Sequence, residues 1–172
     1  MLALVETYLG LPLEVAEACD VPLARLNLAR RRLSPGDKAI DGSICLEALL
    51  SGKSSEGLTH KLAVRAALLL GSTLLERQAI DQKVRRFYRL RSQVVHGAAN
   101  GNDAKAREAA EAGLKICASA IRAVVKSATK PDPEVWELTG GPAWNRLQLD
   151  EIATDSAITA DDSTGGGADS AN

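Results

Sequence analysis

The chain has 172 residues, 45% of them apolar and only 3% aromatic, and its 21 basic and 22 acidic side chains nearly cancel to a net charge of −1. That length suits one domain with some chain left over for arms or a tail, and a core short of aromatics must be built from Leu, Ala, Val and Ile, which favours helices packed closely through small residues. No apolar run reaches the roughly 20 residues needed to cross a bilayer, and the opening MLALVETYLG lacks the basic flank and cleavage site of a signal peptide, so a cytoplasmic protein with no membrane partner is expected.

The small net charge conceals a division along the chain. Residues 150–172 hold six acidic side chains and no Lys or Arg, which leaves residues 1–149 with 16 acidic groups against 21 basic ones, a net +5. A mildly basic body permits an anionic partner such as nucleic acid without demanding one. Cys19, Cys45 and Cys117 are odd in number, far apart and set in apolar surroundings, which points to buried, reduced thiols rather than to disulfides or a zinc site. With two distant histidines and no GxxxxGK loop, neither a metal nor a cofactor is expected.

In chain order, apolar residues recurring every three or four positions predict short helices over 2–9, 12–19 and 22–33. Asp37, just after Ser34-Pro35-Gly36, opens a helix to about residue 51, and Gly52-Lys53-Ser54-Ser55-Glu56-Gly57 breaks it. The next helix runs from Leu58 to Leu70 and stops at Gly71. Another starts at Ser72 or Thr73, where Ser72 followed by Glu76 allows local N-terminal stabilisation, and continues to Val95 or His96 before Gly97. A long Ala-rich helix spans about 103–127 and ends before Pro131. Residues 129–153 read as an irregular arm carrying Trp136 and Trp144 around a Gly-Gly-Pro turn, and 154–172 as a disordered acidic tail of Gly, Ser and Asp.

The helix ending near His96 carries the sequence's main anomaly. Ile80, Val84, Phe87 or Tyr88, and Val94 or Val95 mark its apolar stripe, and the same spacing places Arg91 in the middle of that stripe. A guanidinium there needs a carboxylate or an anionic ligand. Glu47, which interrupts the apolar run of another helix, and Asp41 before it are the internal candidates, and a structural ion pair with one of them is the plain alternative to a functional role. His96 lies five positions on, about 140° around an ideal helix from Arg91, where the helix should be ending. Both groups can then line one cleft, although a histidine at a helix C-terminus can also simply favour the dipole. Lys83, Arg85, Arg86 and Arg89 project elsewhere and form a basic cluster, read either as an RNA guide or as a solvated face. His60 reads as a surface or capping residue.

Three segments together resemble the HEPN superfamily, and within it the Apea-like branch. They are Asp37-Lys38-Ala39-Ile40-Asp41 leading into Leu46-Glu47-Ala48-Leu49-Leu50, then His60 to Gly71, then Phe87-Tyr88-Arg89-Leu90-Arg91-Ser92-Gln93-Val94-Val95-His96-Gly97. The likeness covers about residues 22–126. It implies an all-α, compact HEPN-like helical bundle over 22–128, preceded by an N-terminal helical extension over 1–21 and followed by the arm and tail.

The resemblance also implies a homodimer in which the motif's Arg and His, here Arg91 and His96, meet around a shared cleft, and a metal-independent endoribonuclease of a toxin, defence or RNA-processing system. RNA, an antitoxin or a larger defence partner are the partners it implies, and some members bind RNA or nucleotides without cutting. Ser92 stands where active members often carry Asn, Asp or His, and Ala98 where one branch carries a modifiable Tyr. In such an enzyme His96 would transfer protons, Arg91 would hold the phosphate, and Ser92 would donate a hydrogen bond. DNA, lacking the 2′-OH nucleophile, would survive. The competing reading is a non-catalytic binding or scaffold module in which Arg91 pairs with Glu47.

Overall fold

The computed structural model describes residues 2–53, 56–97 and 103–145, and among them it is an all-α bundle with no strand. Its helices are α1 (Leu2–Leu9), α2 (Leu13–Arg31), α3 (Pro35–Leu50), α4 (Leu58–Leu70), α5 (Leu74–Val95), α6 (Ala104–Ser127) and α7 (Pro133–Thr139). α3 lies centrally, packed on α2, α5 and α6, while α4 closes the far side against α5. Among the described residues, no helix is long and apolar enough to cross a membrane.

The helix limits follow from local chemistry. The Ser34 hydroxyl caps α3 by accepting from the amides of Gly36 and Asp37, with Pro35 preset for the first turn. Gly57 in the left-handed region and Gly71 bracket α4. A capping box opens α5: the Thr73 hydroxyl accepts from the Glu76 amide at 3.2 Å, and the Glu76 carboxylate accepts from the amides of Thr73 and Ser72. The Asp103 side chain caps α6 through the Ala106 amide.

Two sequence expectations are corrected. The helices read over 12–19 and 22–33 are the single helix α2, which passes through Pro22 and so through the division drawn between residues 21 and 22. Pro22 has no amide to donate to Ala18, but its ring is buried in line with Val15, Cys19, Leu26 and Ala29, and packing outweighs one lost hydrogen bond. The second correction concerns the arm, which is not irregular throughout: Asp132 and Pro133 start α7. Trp136 is buried and meets the half-exposed Trp144 edge to face, ring centroids 6.5 Å apart. The tail over 154–172 lies outside the described residues.

Two buried arginines hold the arm down. Arg65 on α4 donates to the Leu50 and Ser51 carbonyls at the end of α3 and to Glu137 on α7 at 2.8 Å. Arg77 on α5 donates to the carbonyls of Gly71, Gly140 and Asn145, and burial lowers its pKa. These bonds satisfy carbonyls that helix ends leave open.

The core is dense where α5 meets α3 and α6. Phe87 enters a slot between Gly42 and Gly113, and a Cβ on Gly113 would fall 2.1 Å from the Phe87 ring. Cys19, Cys45 and Cys117 are buried free thiols, as the sequence suggested.

Candidate functional site

α5 carries the site. Its buried Val84, Phe87 and Tyr88 set the rotation of the helix, and Arg91, one turn beyond Tyr88, is half-buried beside that face. The Arg91 Cζ lies 5.7 Å from the centre of the Tyr88 ring, a cation–π separation. The Tyr88 hydroxyl donates to Glu47 on α3. Burial first, and then the Glu47 carboxylate, push the Tyr88 phenol far above its ordinary pKa, with Arg91 opposing weakly. Tyr88 therefore stays protonated and remains a donor to Glu47.

Neither carboxylate proposed for Arg91 is its ion-pair partner. Asp41 is buried and engaged by two arginines of α2 and its exit, Arg25 at 3.3 Å and Arg32 at 2.8 Å. Glu47 is turned to Tyr88. Among the described residues Arg91 makes no ion pair, and its buried Nε has no hydrogen-bond partner. Both Asp41 oxygens are held by Arg25 and Arg32, and Glu47 Oε1 accepts from Tyr88.

His96 is the C-cap of α5, exposed, with its amide donating to the Ser92 carbonyl at 3.0 Å. Gly97 follows in the left-handed region at φ 68° and turns the chain away. Ser92 is half-buried one residue after Arg91. No hydrogen bond joins Arg91 to His96 among the described residues, consistent with their separation of about 140° around the helix.

The basic cluster divides. Lys83, Arg86 and Arg89 are exposed and line a groove of about 590 Å³ between α5 and α6, completed by Lys105, Asp103 and Glu108 from α6 over a floor that includes Leu90 and Ala109. Arg85 does not join them: it is bound to Asp81 one turn back, at 2.7 and 3.0 Å, and to His60 Nδ1 on α4 at 2.8 Å. That bond makes His60 an acceptor at Nδ1 and a tie between α4 and α5. Around α5, Lys83, Arg86 and Arg89 stand about 80°, 140° and 160° from Arg91 at 100° per residue, so the groove's centre lies on a different side of the helix from Arg91.

Sequence reasoning missed Tyr88 as a polar participant, since it read as apolar filling; its position three residues before Arg91 was the available signal. Lys105 was hidden in the Ala-rich start of α6. Among the described residues no group of three or more His, Cys, Asp or Glu is placed to hold a metal ion. Among the described residues, the fold and site define an all-α bundle with, on one face of a central helix, a half-buried arginine that has no ion pair and, on another, a basic groove. Comparison with family models, curated proteins and solved structures returns no match.

Proposed function

We propose that the chain is a HEPN-type, metal-independent endoribonuclease that works in the cytoplasm as a homodimer, in a toxin–antitoxin or defence setting. The observation that carries this reading is the state of Arg91: half-buried, without an ion pair among the described residues, its Nε unpartnered, while both candidate carboxylates are engaged elsewhere. A buried guanidinium nitrogen without a partner favours an anionic oxygen.

In the reaction, the ribose 2′-oxygen attacks the adjacent phosphorus, forming the P–O2′ bond and breaking the P–O5′ bond. The 2′-OH proton passes to an imidazole, and the departing 5′-oxygen takes a proton from a second one. The products are a 2′,3′-cyclic phosphate and a 5′-hydroxyl. Arg91 offsets the charge that grows on the phosphate oxygens, and Ser92 is near enough in sequence to add a donor. Because Arg91 and His96 of one chain diverge around α5, two chains meeting at the α5 end supply the two imidazoles and the facing arginines.

The α5–α6 groove supports a second reading, a non-catalytic RNA-binding or nucleotide-binding module, since Lys83, Arg86, Arg89 and Lys105 can follow a phosphate backbone without any contribution from Arg91. One experiment separates the two: incubation of an RNA pool with the purified chain in EDTA, beside Arg91→Ala and His96→Ala variants of unchanged helicity. Cutting that leaves cyclic phosphate ends and drops at least 100-fold, on the order expected for lost acid–base catalysis, in both variants supports the enzyme. Binding without cutting supports the module, and cutting that survives both substitutions overturns the assignment of Arg91 and His96.

A further inference from the structure

α2 is apolar on its bundle side and carries three exposed apolar residues, with the charged Glu17 set among them, on the opposite side. Val15, Cys19, Pro22, Leu26 and Ala29 face the bundle, packed chiefly on α3 and α6. Leu13, Val21 and Leu28 lie roughly 150° around the helix from that stripe at 100° per residue, and they are 74%, 51% and 41% exposed. Single exposed leucines are ordinary on a protein surface, but these recur at intervals of eight and seven residues and so share one face. Leu9 and Leu33, just before and just after α2, are also exposed, and each stands twelve residues from Val21.

This arrangement is close to a palindrome centred on Val21. An antiparallel copy of α2 laid on this face with a two-fold axis near Val21 sets Leu13 beside the partner's Leu28, Val21 at the centre, and Leu9 towards the partner's Leu33. Charge follows the same symmetry. The first half of α2 carries Glu14, Glu17 and Asp20 and no base; the second half carries Arg30 and Arg31, besides Arg25 that is already paired with Asp41, and no acid. That order also suits the helix dipole, so charge alone would not argue for a partner. Combined with the symmetric apolar stripe it does, because a two-fold antiparallel pairing places each acidic half against a basic one, whereas a parallel pairing sets like charges together.

We infer that the outer face of α2 is an interface for a second copy of this chain, paired antiparallel about Val21. A strip about 28 Å long and about 10 Å wide covers roughly 300 Å² per partner, well short of the roughly 800 Å² of a stable complex. The pairing is therefore weak and dissociates on dilution. It does not rest on the ribonuclease reading, whose dimer uses the α5 end, and it is read by mass rather than by cleavage.

The test is sedimentation velocity of the full chain across a concentration series at low salt, beside Val21→Asp. The wild-type mass rises with concentration above the plateau that Val21→Asp holds, which is one chain of 18.1 kDa or the two chains of an α5-end dimer, and Val21→Asp keeps its helicity. A pair of charge variants checks the orientation independently of that substitution. Arg30→Glu with Arg31→Glu makes both ends of α2 acidic, and Glu14→Lys with Glu17→Lys makes both ends basic with Asp20 left between them; each associates less than wild type alone, and the two associate when mixed. A wild-type chain that stays at one mass at every concentration overturns the interface. So does association that Val21→Asp leaves unchanged, or charge variants that do not pair on mixing. Loss of RNA cutting with the α2 pairing intact would overturn the enzyme reading alone.

Discussion

At Tyr88 a phenol stands between the Glu47 carboxylate and the Arg91 guanidinium, so two opposite charges are linked through a neutral group. The phenol's pKa is raised in the fold, and the sign of the consequence follows. The unfolded chain ionises near pH 10 while the folded one stays protonated, so the stabilisation is complete below that pH and is lost as pH rises toward the folded value. Urea midpoints measured from pH 8 to 11 should fall for the wild type, and Tyr88→Phe should remove part of that fall while costing stability at pH 8 by about 1–3 kcal/mol for the donor taken from Glu47. Arg65 is the costlier residue to remove. Arg65→Ala strips a donor from two α3 carbonyls and from Glu137, and should destabilise by on the order of 3 kcal/mol, with the emission of buried Trp136 shifting to the red.

Between elements, the Phe87 slot fixes how α5 meets α3 and α6. Gly113→Ala would raise helix propensity by about 1 kcal/mol, yet the new Cβ would overlap the Phe87 ring. Overpacking of that kind costs about 1–3 kcal/mol or more, so the expected outcome is a lower thermal midpoint, partly recovered by adding Phe87→Leu. Helix ends were readable where a specific residue makes the end: Gly57 and Gly71 for α4 and Asp103 for α6, while at α5 Glu76 was legible but its capping hydroxyl is that of Thr73 rather than Ser72. Pro22 misled because a missing amide is a local signal, whereas the burial that compensates for it is made by other helices. α7 was hidden because seven residues carry little periodicity. Arg91 could be singled out from spacing alone, but the partners of Glu47 and Asp41 could not, since which donor reaches a carboxylate first depends on helices distant in sequence.

For the molecule as a whole, the arm belongs to the same folding unit as the bundle. Truncation after Thr129 would remove two of the three acceptors of Arg77 and the carboxylate of Arg65, and the shortened chain should melt at lower temperature and be cut faster by trypsin near these arginines. The electrostatics of the groove work over a longer range. On the proposed RNA-binding reading, replacing Lys83, Arg86 and Arg89 with Glu weakens RNA binding and flattens its salt dependence, by about 0.7 in log–log slope for each phosphate that the variant no longer neutralises. The three thiols report on the same scale. Cys19 sits on α2, Cys45 on α3 and Cys117 on α6, all sealed from water, and burial pushes the Cys19 thiol up while the neighbouring Cys45 thiol does most to raise that of Cys117. An alkylating reagent can reach them only when those helices part. If the bundle opens as one unit, mass spectra taken during labelling will hold chains with no adduct or with three, and the rate at which the first population empties is a clock for the opening itself.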